Sequence, residues 1–200
     1  MKVSDAIEKR RATKEFDSAF VIPEEHSRKL IELATKSPTA FNIQHWRFVI
    51  INNTKLREEI HKATWMQPQV TDASLLIVIC ADIQAWQKNP ERYWLNASPE
   101  NREGILEAIN AYYKGNAQLQ RDEAMRSCGI AAQSLMLAAT EMGYETCPMD
   151  LSDFNEVGKL INLPEDHVIS MFVAIGKGVE KPWPRGGQLS IAEVLINNKF

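Results

Sequence analysis

The sequence predicts a single α+β domain, and three features carry the prediction. Its 200 residues are 44% hydrophobic and 24% charged, enough apolar material for one substantial core. Capped, amphipathic helical segments are interspersed with short β-branched runs, and no internal repeat or low-complexity stretch is visible. The run from Leu75 to Ala81 is continuously apolar and rich in Ile and Val, which marks a central strand buried on both faces.

The elements follow in order. Ser4 is a good N-cap for a first helix through Ile7 to Arg10 and Arg11, whose cations favour a helix C-terminus, with an end near Thr13. Pro23, followed by Glu24 and Glu25, opens a second helix with Leu30, Leu33 and Ala34 on its apolar face. Ser37-Pro38 stops it, because the residue before proline avoids the α region. Trp46 to Ile51 reads as a strand, and Thr54 as the cap of a helix carrying Leu56, Ile60 and Ala63. After the central strand, residues from about 83 to 121 are polar, studded with aromatics and broken by Pro90 and Pro99, a helical excursion over the core.

Asp122 opens a helix that is apolar nearly all round (Met125, Cys128, Ile130, Ala131, Leu135, Met136, Leu137, Ala139), so burial is expected, partly against a second subunit. Gly143 closes it. A short segment from Tyr144 to Met149 leads to Asp153 and Glu156, a capping-box pair ahead of Val157, Leu160 and Ile161. Val168 to Ile175 is another strand, and Ser190 with Glu193 repeats the capping signature before Val194, Leu195 and Ile196.

Charge and cysteine content narrow the function classes. Lys and Arg number 23 against 26 Asp and Glu, a net charge of -3, so no basic excess favours nucleic acid or an anionic membrane. Cys80, Cys128 and Cys147 are odd in number and far apart, which argues against a disulfide framework or a thiolate metal site and favours a reducing cytoplasm. Met1 to Arg11 lacks the apolar core of a signal peptide, and no stretch approaches a membrane span.

Neither a GxGxxG nor a GxxxxGK[ST] pattern is present, and the four histidines show no metal-ligand spacing. GxSxG is missing as well. An enzyme with this inventory borrows its chemistry from an organic cofactor. Two segments stand out. Arg10-Arg11-Ala12-Thr13-Lys14-Glu15-Phe16 gathers three cations at a helix exit; by itself it is equally a solvated charged turn. Ser37-Pro38-Thr39-Ala40-Phe41-Asn42-Ile43-Gln44-His45-Trp46 places amides between a helix and a strand; by itself it is equally an ordinary connecting loop.

Together, and in order with Gly143, Pro148-Met149-Asp150 and Arg185, these motifs resemble the nitroreductase family over nearly the whole chain. The resemblance implies a mostly antiparallel sheet flanked by helices in an intertwined homodimer, with FMN as cofactor and NADH or NADPH as electron donor. It implies that Arg10 and Arg185 neutralise the FMN phosphate, with Lys177 or Gln188 assisting, and that Arg11 is also cofactor-binding. Ala12 and Lys14 lie by the flavin, Lys14 at the pyrimidine edge where reduction accumulates negative charge.

Gln67 and Gln69 match donors to that edge, and Pro38, Thr39, Ala40, Asn42 and Gln44 match a loop reaching flavin bound mainly by the partner. Pro148, Met149 and Asp150 match the turn offering a backbone N–H to flavin N5. Phe41, Trp94 and Tyr112 are candidates for acceptor contact, among the aromatics (Trp86, Tyr93 and Tyr113 also) that either cover the acceptor or pack the excursion. No side chain is implied as a catalytic acid or base, and no metal. The implied reaction is hydride transfer to small electron-poor acceptors such as nitroaromatics or quinones; enone reduction, or flavin sensing or storage without turnover, are the alternatives. The chain departs from the pattern at Ala12 (usually serine), His45 (often proline), Asp150-Leu151 (often Glu-Gly) and Trp183 (a second tail cation).

Overall fold

A computed structural model describes residues 1–200. The elements in chain order are α1 (Val3–Lys9), α2 (Glu24–Ala34), β1 (Trp46–Ile50), α3 (Thr54–Lys62), α4 (Gln69–Asp72), β2 (Leu75–Asp82), α5 (Pro99–Tyr113), α6 (Ala117–Glu141), β3 (Glu145–Met149), α7 (Phe154–Leu160), β4 (His167–Gly176) and α8 (Ile191–Val194). The four strands form one sheet in the order β1-β2-β4-β3, and every pairing is antiparallel.

All residues of β2 are buried, as a strand with helices on both faces must be. Strand alternation then sorts its side chains. Leu75, Ile77, Ile79 and Ala81 pack with Leu30 of α2 and with Ala124, Cys128, Ala131 and Leu135 of α6. Leu76, Val78 and Cys80 face the opposite way, toward Ile60 of α3, Val70 of α4 and Val157 of α7. Small residues on the inner side of α6 let it lie close to the sheet, while Ile130 on its outer side is exposed in the single chain.

Several boundaries move from their sequence-based positions for local reasons. α1 begins after Lys2 because the Asp5 carboxylate accepts the Lys2 backbone N–H at 3.0 Å. It ends at Lys9, and Ala12 bridges to Thr146, so the chain near Thr13 is extended and adds to the sheet edge. Asn53, not Thr54, caps α3, its side chain accepting from the Leu56 N–H at 3.0 Å. α6 starts at Ala117 rather than Asp122, capped by Asn116, whose side chain accepts from the Leu119 N–H. The segment before Asp153 is the strand β3; its proline sits on an edge strand, where a missing N–H is tolerated. Gly143, at φ 86°, ends the long helix as expected.

Gly176 is needed for close approach. A Cβ there would meet the Phe16 ring at 2.9 Å, so only glycine lets the segment after α1 seat Phe16 against the end of β4.

Candidate active site

The extended segment after α1 places Arg10, Arg11 and Lys14 along β3. Thr13 N–H donates to the Thr146 carbonyl at 3.0 Å, which fixes the direction of the neighbouring side chains. The Arg185 guanidinium folds back from the tail to donate to the carbonyls of Ile7 and Arg10. Partial burial, then Arg185, then Arg11 lower the pKa of Arg10, the mark of cations crowded together without a matching carboxylate. Arg10, Arg11, Thr13, Thr140 and Thr146 line a cleft of about 210 Å³.

Gln67 and Gln69 join the same corner. Gln67 Nε2 donates to the Asp150 carbonyl at 3.4 Å, and buried Gln69 points Nε2 at Cys147 Sγ at 3.9 Å. Burial raises the pKa of the Cys147 thiol, while Lys14, Gln69 and Arg10 pull it down, so all three sit around this one side chain. Pro148 and Met149 end β3, and the chain leaves the sheet at Asp150.

The second set lies elsewhere. Pro38 is exposed, and Thr39, Ala40, Asn42 and Gln44 form a tight loop before β1. Phe41, Asn42 and Gln44 have φ of 51°, 56° and 54°. The left-handed region costs a residue with a Cβ about 1–2 kcal/mol, and a bulky residue such as Phe41 adopts it only when the surroundings impose it. Thr39 Oγ1 accepts from the Gln44 N–H at 3.2 Å, and Trp94 Nε1–H donates to the Phe41 carbonyl at 3.0 Å.

Phe41, Trp94 and exposed Tyr112 gather above this loop, with Phe41 and Tyr112 ring centroids 5.4 Å apart. Tyr113 lies beneath them, its ring edge-on to Tyr112 at 5.1 Å and to Phe41 at 6.3 Å, and Trp86 lies on its other side. Trp86 and Tyr113 are buried and stacked on each other at 5.9 Å, so these two pack the excursion.

The two sets occupy opposite corners of the sheet. The Arg10 corner lies where Thr146 pairs with Ile175, and Gln44 lies just before Trp46, where β2 has reached Ala81 opposite Val168. From Ile175 to Val168 is about 24 Å along the strand, with about 14 Å across the sheet, so roughly 28 Å separates the corners.

A family model described as the nitroreductase family matches residues 7–177. The chain belongs to the nitroreductase family. Protein DrgA of Synechocystis sp. is 50% identical over 180 residues, 90% of this chain and 86% of that protein. The Bacillus subtilis protein named "Putative NAD(P)H nitroreductase YodC" is 31% identical, over 95% of this chain and 96% of its own length. A protein of Exiguobacterium sibiricum crystallised in complex with FMN superposes with a TM-score of 0.91 and 25% identity, over 99% of this chain and 98% of that one.

Within this nitroreductase the departure at His45 has a visible consequence. The imidazole is fully buried, and its Nδ1 lies 3.2 Å from Ser127 Oγ. The Ser127 hydroxyl donates to the Glu123 carbonyl at 2.7 Å, so it accepts from His45 Nδ1–H, while Nε2 is buried without a partner, a setting that favours the neutral ring. Desolvation, aided by Arg47 and opposed by Glu123 and Asp82, lowers its pKa from 6.5 to about 4.

The unfolded chain thus binds a proton more readily than the folded one. The stabilisation, on the order of 3 kcal/mol, is complete above pH 6.5 and is lost as pH falls from there through 4. His45→Gln is expected to flatten the acid limb across that window in urea-unfolding midpoints. A variant with the wild-type slope between those pH values would contradict the assignment.

Thr13, Thr146 and Arg102 also shape the site; Thr13 lies within the first motif without a role assigned to it there, and no motif points to the other two. The two threonines enter the first corner through backbone pairing, and Arg102 organises the turn carrying Trp94, with Nε donating to the Trp94 carbonyl at 3.2 Å. Nothing in the local sequence signals either role.

Proposed function

We propose that this nitroreductase is an FMN-dependent oxidoreductase acting as a homodimer, reducing small electron-poor acceptors with NADH or NADPH. One observation carries the reading. Arg10 Nη1, Thr13 Oγ1, Thr146 Oγ1 and Gln69 Oε1 are all buried and without a hydrogen-bond partner, and all lie at the cationic corner. Buried polar atoms are normally paired, so donors and acceptors grouped around positive charge fit an anionic, hydrogen-bonding cofactor such as FMN.

FMN, when bound, would supply the redox chemistry that links NADH or NADPH to the acceptor. Arg10 and Arg185 would hold the phosphate, with Arg11 beside them at the cofactor. Lys14 sits at the pyrimidine edge and stabilises negative charge there, with Gln67 and Gln69 as amide donors and Ala12 in contact. Pro148, Met149 and Asp150 present backbone to the flavin.

A second copy brings its Pro38, Thr39, Ala40, Asn42 and Gln44 loop to this corner, because the loop of the same chain is too far away. Phe41, Trp94 and Tyr112 come with it and exclude water over the acceptor. One domain spans residues 1–200, with the excursion at about 83–121 as the cover. All three cysteines are unpaired and buried, which fits a reducing cytoplasm. No helix is long and apolar enough to cross a membrane.

Purified protein is expected to be yellow and to bleach anaerobically on addition of NADH or NADPH, and the faster donor identifies the preferred one. A protein that can neither be isolated with nor reconstituted with FMN would remove the reading. Bound flavin that neither donor reduces would favour a sensor or store.

A further inference from the structure

The excursion is tied to the loop it overlies by backbone-directed bonds. Trp94 Nε1–H donates to the Phe41 carbonyl at 3.0 Å, and Asn42 Nδ2–H donates to the Tyr93 carbonyl at 3.1 Å. These bonds address Phe41 and Asn42, two of the loop's three left-handed residues, and of these the bulky Phe41 is the one that most needs outside support. Trp94 is in turn placed by Arg102. The Arg102 Nε donates to the Trp94 carbonyl at 3.2 Å, and Nη2 donates to the carbonyls of Leu95 and Ala97 at 3.1 and 3.2 Å. Arg102 is half-buried and pairs with no carboxylate, so its donors are committed to shaping this turn.

We propose that Arg102 and Trp94 are positioning residues that clamp the Thr39–Gln44 loop in its left-handed form, so that the acceptor cover and the flavin-contacting loop act as one unit. The flavin part of this rests on the function proposed above. Released from the clamp, Phe41 and Asn42 relax toward right-handed backbone, and the Gln44 amide moves with them. A ligand that needs the clamped loop then binds with a dissociation constant divided by the clamped fraction, so a loop clamped one-tenth of the time binds about tenfold more weakly.

Amide hydrogen exchange on FMN-free protein, paired with an FMN fluorescence titration, tests both halves. The reporters are the N–H groups of Asn42, Ile43 and Gln44, bonded to the Thr39 carbonyl, the Ala40 carbonyl and Thr39 Oγ1. In Trp94→Phe and Arg102→Gln, the FMN dissociation constant is expected to rise about tenfold and exchange at these three amides by at least as much, while exchange along β2 stays at the wild-type rate. Arg102→Lys, which keeps a donor but reaches fewer carbonyls, should recover part of both effects.

Wild-type exchange at residues 42–44 in both variants overturns the clamp. Faster exchange with an unchanged FMN dissociation constant overturns its link to flavin, and faster exchange throughout β2 means a general loss of stability and overturns it too. Wild-type protein that binds no FMN overturns the flavin reading instead, and the exchange rates then decide the clamp alone.

Discussion

Replacing Arg10 and Arg185 together with alanine is expected to give a folded protein that is purified colourless and binds FMN at least about a hundredfold more weakly. A charge-assisted hydrogen bond contributes about 1.5–3 kcal/mol, so two lost together are worth about 3–6 kcal/mol, or two to four powers of ten. The fold has little to lose at these positions. Arg185 is exposed and bonds only the carbonyls of Ile7 and Arg10, and Arg10 is crowded by two other cations, so removing charge relieves repulsion. Titration of apo-protein with FMN checks the affinity, and far-UV circular dichroism checks the fold. Arg10→Lys separates charge from geometry, because lysine keeps the cation and loses the planar fork that bonds phosphate bidentately. Wild-type affinity in the double variant would place the phosphate elsewhere.

The largest effect on stability is expected at Arg57. This side chain is buried on α3, where it donates from Nε to the Ile51 carbonyl at 2.8 Å, from Nη1 to the Ala73 carbonyl and from Nη2 to the Ser74 carbonyl. It joins the end of β1 to the start of β2 through carbonyls that no other side chain reaches. Desolvation lowers its pKa, the signature of a cation held in the interior by carbonyl oxygens alone. Arg57→Met keeps the apolar stem and strands those acceptors, at a cost of about 3 kcal/mol. For a chain of this length that is a drop of roughly 6–12 °C in melting temperature, read by calorimetry. A change of a degree or less would show that water or backbone relaxation satisfies the carbonyls.

Features with a local cause are legible in the residues themselves. Asp153 accepts the Glu156 N–H at 2.9 Å, and Ser190 and Glu193 close the reciprocal box on α8, because a cap is a contract between residues three apart. The burial of β2 follows from its unbroken apolar run. The misplaced boundaries are equally physical. Asn53 and Thr54 are both capable caps, adjacent in the chain, and it is Asn53 whose side chain accepts the Leu56 N–H. β3 carries neither alternation nor a β-rich run, and it becomes a strand because β4 offers it a free edge. The first turns of α6 are polar, so its apolar pattern marks only the later ones.

For the candidate site, the residue types are legible and their arrangement is not. Arg10, Lys14, Gln69 and Pro148 share a corner because an extended segment pairs with β3 across more than a hundred residues of chain, a register no local signal encodes.

The sequence alone determined the α+β class, the doubly buried central strand and the family resemblance, because these depend on composition, periodicity and motif order. Only the tertiary structure decided that the cationic corner and the amide loop stand at opposite ends of one sheet, and that buried polar atoms near the first lack partners. Both depend on strand order and side-chain packing, which emerge from contacts between distant parts of the chain.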